Sequence, residues 1–196
     1  MKKVIERTIR ILLAEIFLFC PIMMSQNNPY KINDQLFSYY QKCTRSIKQP
    51  KVLLMADTLF HLAEQKGDVK AQCLAKNLKS DHYYYTDNIT ALLKEKEKVA
   101  DFARKTPYKQ YIFGAWNRII TYYLRNWEYD AALSELKKYQ NEALRLNNSY
   151  GIGQSYIQMG DVYFQQKMPQ IAVQQYQQAV DYYKSVGKDN ELYYPY

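Results

Sequence analysis

The side chains here that could do acid–base, nucleophilic or metal chemistry are two histidines, three cysteines and scattered carboxylates. His61 stands beside Phe60, and His82 precedes Tyr83-Tyr84-Tyr85. Neither has a partner at the HExxH spacing that lets one helix face hold a metal. A structural role is expected for both. Gly151-Ile152-Gly153 follows no strand and precedes no Lys-Ser/Thr. It reads as a helix–helix connection, not a phosphate loop. No nucleophile elbow occurs. Acids alternate with lysines, as in Lys94-Glu95-Lys96-Glu97-Lys98, the pattern of a solvated helix face. The residues imply no catalytic constellation, no metal and no cofactor. The expectation is a protein that binds and does not catalyse.

Elements must still position whatever does the binding. The chain has 196 residues and a mass of 23.4 kDa, enough for one domain. Hydrophobic residues make up 47% and charged residues 23%, the proportions of a globular protein. Gly and Pro contribute only six each, too few for a turn-rich β fold, so helices are expected. Tyrosine is abundant, at 21, which suits helices that pack through aromatic positions. The net charge is +8. The basic residues are interleaved with acids and not clustered with aromatics, so no nucleic-acid partner is expected. The stretch Gln165 to Gln178 reads as a polar helix face.

Residues 1–25 look like an address. Lys2, Lys3, Arg7 and Arg10 precede an apolar run from Ile11 to Met24, broken by Glu15 and Pro21, and Ser25-Gln26-Asn27-Asn28 then turns polar. That is the layout of a signal peptide cleaved after Ser25, and it is too short to span a bilayer. A buried first helix is the alternative. Membrane contact is expected only through this segment or a missing C-terminal part. Phe19 before Cys20 argues against lipidation. Cys43 and Cys73 could pair in an oxidising compartment, but the expectation is two buried hydrophobes. Residues 26–33 form a linker.

The repeat signal is clearest at the C-terminal end. Tyr156, Met159, Gly160 and Tyr163 fall on one helix face, and Ala172, Tyr176 and Ala179 fall on the next. Gly160 and Ala172 would let neighbouring helices approach closely, and Pro169 suits the first turn of the second helix. One unit earlier stand Trp116, Ile119, Ile120 and Tyr123, then Ala132, Leu136 and Tyr139. These spacings resemble the tetratricopeptide pattern W-x2-L-G-x2-Y followed by A-x3-F, with about 40 residues between units where that family has about 34. Ile120 in place of the Gly implies wider packing. An earlier unit is read from Tyr40, Cys43 and Ile47, with Ala56, Phe60 and Ala63. A degenerate unit lies between, from Cys73 to Ala103. Ala56 and Ala132 would then stand two periods of about 38 residues apart.

The resemblance implies an all-α fold. Antiparallel helix pairs would stack into an α-solenoid of about four repeats over residues 34–190, with an incomplete one from 191 to 196. It further implies a concave groove lined by the first helix of each pair. The positions beside the signature are Asn117, Thr121, Leu124 and Arg125, then Gln154, Ile157, Asp161, Phe164 and Gln165. Such grooves hold peptides by anchors and main-chain hydrogen bonds. The chaperone-tail clamp of the family is not expected, because Asn117 and Thr121 stand where its Lys and Asn would be.

The tail Leu192-Tyr193-Tyr194-Pro195-Tyr196 lacks the polar surface of a capping helix. It is expected either to continue in a longer protein or to pair with a second copy. Two functions fit. One is an exported, periplasmic scaffold that binds a protein or peptide. The other is the sensory part of a larger signalling protein, because the layout is similar to the periplasmic half of Bacteroidetes sensor histidine kinases.

Overall fold

The computed structural model describes residues 28–187. The expected signal segment and the terminal 188–196 lie outside the described residues. Within them the chain is all-helical, and no strand is present. Eight α-helices follow in order: α1 Asp34–Arg45, α2 Lys51–Gln65, α3 Val69–Tyr85, α4 Ile89–Ala103, α5 Ile112–Arg125, α6 Tyr129–Arg145, α7 Ser149–Gln165 and α8 Pro169–Ser185. A short 3-10 turn, Lys109–Tyr111, precedes α5.

The helix starts are written in the sequence. Asn33, Asp68, Asn88 and Asn148 each accept a backbone N–H of the first turn through a side-chain oxygen, which satisfies a donor the helix cannot. Pro169 begins α8, where its missing N–H costs nothing.

The helix ends follow a stricter rule. Gly67, Asp87, Trp127, Asn147, Lys167 and Gly187 all have positive φ, between 47° and 68°. From Gly67 to Gly187 they fall at steps of twenty residues, with a gap at Pro107; α1 ends differently, at Ser46 with negative φ. After five of them the next amide reaches five residues back. Asp68, Asn88, Glu128, Asn148 and Met168 donate to Ala63, Tyr83, Tyr123, Ala143 and Tyr163 at 2.8–2.9 Å. This is the Schellman closure of a helix C-terminus. Pro107 cannot adopt positive φ because its ring fixes the torsion. The α4–α5 junction is accordingly the one that detours through the 3-10 turn.

Burial repeats every forty residues. Val52, Leu92, Ala132 and Ala172 are buried, as are Leu59, Val99, Tyr139 and Ala179, and Ala63, Ala103, Ala143 and Tyr183. This corrects the expected register of the first unit. Leu36, Tyr39, Tyr40 and Cys43, with Val52, Ala56 and Leu59, occupy the places assigned to Tyr40, Cys43, Ile47, Ala56, Phe60 and Ala63. Ala56 therefore corresponds to Leu136 and not to Ala132. Alanine is small enough to satisfy several registers, which is why spacing alone misplaced it.

Each helix packs on its successor, and α1 also packs on α3, α3 on α5 and α5 on α7. One apolar cluster joins α1, α2 and α3 through Leu36, Phe37, Val52, Leu59 and Leu74. A second joins α4 to α7 through Leu92, Phe113, Ile119, Leu136, Tyr139 and Val162. Large and small residues trade places between equivalent positions. Ile120 and Leu136 in one unit become Gly160 and Tyr176 in the next, so Ile120 redistributes volume within the pair.

Two further expectations are corrected. Gly151-Ile152-Gly153 is not a connection but the buried first turns of α7. A Cβ on Gly151 would come within 2.8 Å of Ala143, and one on Gly153 would overlap the Tyr183 ring. The run Lys94 to Lys98 is not a uniformly solvated face. Glu95 and Lys96 are buried, at 4% and 8% exposed.

Candidate functional site

The odd-numbered helices share one face, and most of the groove positions expected from the sequence converge there. Thr121, Leu124 and Arg125 at the end of α5, Asp161, Phe164 and Gln165 at the end of α7, and Tyr84 of α3 line one groove of about 440 Å³. Tyr84, Leu124 and Phe164 are forty residues apart. The three helices end in step, at Tyr85, Arg125 and Gln165, and this forty-residue period places them side by side. Phe164 is 64% exposed, so its ring stands open to solvent within the groove.

The polar groups of the groove are held. The Arg125 guanidinium pairs with Asp87 and lies over the Tyr84 ring, 5.0 Å from its centroid. Arg118 approaches the same ring at 5.5 Å and donates from Nε to Asp81 at 2.6 Å. Both guanidiniums thus lie within cation–π reach of Tyr84. Burial pushes the Asp81 carboxyl up, and Arg118 opposes that push. The Asp161 carboxylate accepts a 2.8 Å hydrogen bond from the Tyr176 hydroxyl. Burial raises its pKa, and the Tyr176 bond works against this. Thr121 Oγ1 donates to the Asn117 carbonyl at 2.8 Å.

The remaining expected positions divide. Asn117 lies on the same face but lines a second cavity of about 600 Å³, with Tyr30, Asn77, Arg118 and Tyr150 among its walls. Its Oδ1 accepts from Gln158 at 2.8 Å. Gln154 is buried, at 3% exposed, and a groove role for it is corrected: it is an interior residue. Ile157 is half-buried and lines neither cavity.

The repeat-signature residues sit at helix contacts. Trp116, Ala132, Gly160, Ala172 and Ala179 are buried, and Tyr123, Tyr156, Tyr163 and Tyr176 are half-buried. Trp116 Nε1 donates to Glu135 at 2.8 Å, and Lys96 Nζ lies 3.4 Å from the same carboxylate oxygen and 4.6 Å from the Trp116 ring. Burial alone would raise the Glu135 pKa. The bonds from Lys138 and Trp116 and the charge of Lys96 outweigh it and lower it. This cluster was not legible in the sequence, and neither was Tyr84. The forty-residue spacing back from Leu124 would have found Tyr84.

His82 is buried, with Nδ1 2.7 Å from the Ile47 carbonyl, and His61 is exposed beside Glu64. Cys43 and Cys73 are buried and free, and burial pushes the Cys43 thiol up to about 11. Among the described residues, no group of His, Cys, Asp or Glu could hold a metal, and no helix is long and apolar enough to cross a membrane. The groove lining offers apolar surface, one guanidinium, one carboxylate and an amide. That arrangement suits recognition of a chain segment by anchors and hydrogen bonds.

No protein-family model, curated protein or solved structure matches this chain.

Proposed function

We propose that the helices form a solenoid of tetratricopeptide type that binds an extended segment of another protein along the odd-helix face. The reading includes export, with residues 1–25 as the signal. One observation carries it. Six residues chosen for their place beside the repeat signature, Thr121, Leu124, Arg125, Asp161, Phe164 and Gln165, line one groove together. The helix contacts support the stacking, because each odd helix touches its successor and the next odd helix.

Phe164 and Leu124 would receive an apolar side chain, and Gln165 would meet the peptide backbone. Arg125, already paired, would add an acidic contact only by releasing Asp87. The chemistry is non-covalent throughout. The test is selection from a random peptide library displayed on phage, followed by titration of the selected peptides. Binding should weaken at least tenfold in Phe164→Ala, as expected of a central aromatic anchor. Selected peptides that bind Phe164→Ala and Thr121→Arg as well as the parent would remove the groove from the function.

A further inference from the structure

The cavity beside the groove is placed and charged to act with it. It holds about 600 Å³, with Asn77 and Asp81 of α3, Asn117 and Arg118 of α5, and Tyr30 and Tyr150 among its walls. Cavity and groove meet at one contact. Arg118 lines the first, Tyr84 lines the second, and the guanidinium lies 5.5 Å from the ring centroid. Along α5, Asn117 in the cavity precedes Leu124 in the groove by seven residues, about 10 Å at about 1.5 Å per residue. That is the reach of about three residues of extended chain. In a polyproline-II segment, residues about three apart also share an edge. A segment held by Leu124 and Phe164 can therefore place another of its side chains in the cavity.

The ion pair in the cavity selects that side chain. Arg118 donates from Nε to Asp81 Oδ1 at 2.6 Å. This leaves Asp81 Oδ2 to accept and the Arg118 Nη groups to donate. An entering carboxylate would gain Arg118 and face the like charge of Asp81. An ammonium would gain Asp81 and face Arg118. A primary carboxamide donates through its NH2 and accepts through its oxygen. It satisfies both members of the pair and brings no charge. Lys70 also lines the cavity, but it stands eleven residues before Asp81 on α3. The helix rise puts it about 16 Å away, beyond a screening length of about 8–10 Å. Building on the peptide-binding reading, we infer that the cavity is a second anchor site for the same segment, and that it takes the carboxamide of a Gln or Asn about three residues from the apolar anchor.

The random-peptide library tests this with a readout on the peptide. Selected peptides whose binding depends on Phe164 should share a Gln or Asn about three positions from their apolar residue. In one such peptide, replacing that residue by Glu, and separately by Lys, should each weaken binding about tenfold or more in a fluorescence-anisotropy titration. Asp81→Asn removes the like charge that opposes Glu, so the Glu peptide should recover most of its loss on that variant. If Asp81→Asn fails to fold, the peptide substitutions decide alone. Phe164-dependent peptides without a shared Gln or Asn, or equal binding of the Gln, Glu and Lys peptides, overturn the second anchor and leave the groove standing. Selected peptides indifferent to Phe164 overturn the groove and the second anchor with it. Free glutamine that displaces the peptide at equal concentration would make a small carboxamide the occupant, and this too overturns the second anchor.

Discussion

The ring of Tyr176 occupies the space that a side chain on Gly160 would need. A Cβ built on Gly160 would lie 2.6 Å from Tyr176 Cδ1, far inside van der Waals contact. The Tyr176 hydroxyl continues past the glycine to Asp161. One missing side chain therefore seats α8 on α7 and orients a groove carboxylate. Gly160→Leu should destabilise by about 1–3 kcal/mol through overpacking, and Ala172→Leu by a similar amount. Urea unfolding measures both. Either variant matching the parent would contradict the close approach.

The Lys96–Glu135–Trp116 cluster predicts an asymmetry. Removing the carboxylate in Glu135→Ala leaves the buried ammonium with the Trp116 ring and, as its one carboxylate, Glu97, 3.2 Å away and largely exposed, so a loss of about 3 kcal/mol is expected. Replacing both partners, as Lys96→Met with Glu135→Leu, should recover most of that loss. Thermal melts of the single and double variants measure the difference.

Glu142 makes the stability depend on acid. Hydrogen bonds from Arg145 and Arg104, with their charges, hold its pKa down at about 2 against the opposing effect of burial. A depressed carboxylate contributes stability above its unfolded pKa of about 4.5, and that contribution disappears as pH falls toward 2. Glu142→Gln should therefore be less stable than the parent at pH 7. The two should converge as the pH falls from 4.5 toward 2. A constant difference across that range would show that the ion pairs contribute nothing.

Arg125 separates folding from binding. Its pair with Asp87 is largely exposed, and such pairs contribute about 1 kcal/mol or less. Arg125→Ala should melt close to the parent and bind peptides selected on the groove more weakly. Equal peptide affinity in both forms would take Arg125 out of the site.

Much of this architecture is legible in the sequence where side chains have one role. Trp116, Tyr123, Tyr156 and Tyr163 mark helix contacts by size, and Pro169 marks a helix start by its ring. The helix ends are less legible. Trp127 and Lys167 sit in left-handed turns that their residue types do not favour, so only the twenty-residue spacing reveals them. Gly151 and Gly153 mislead for the opposite reason. They sit inside the first turns of α7 to admit Ala143 and Tyr183, not to connect two helices. Lys96 reads as solvated until Glu135, 39 residues away, is brought beside it. Tyr84 joins the groove in the structure, and its forty-residue spacing from Leu124 is the one trace of that in the sequence.

The central claim is that the face shared by α3, α5 and α7 binds a peptide. The most direct measurement is the affinity of one library-selected peptide for the parent, Phe164→Ala and Val173→Asp. The account predicts at least tenfold weaker binding to Phe164→Ala and unchanged binding to Val173→Asp, since α8 is a separate surface. Equal affinity for the parent and Phe164→Ala, or loss only in Val173→Asp, would contradict it.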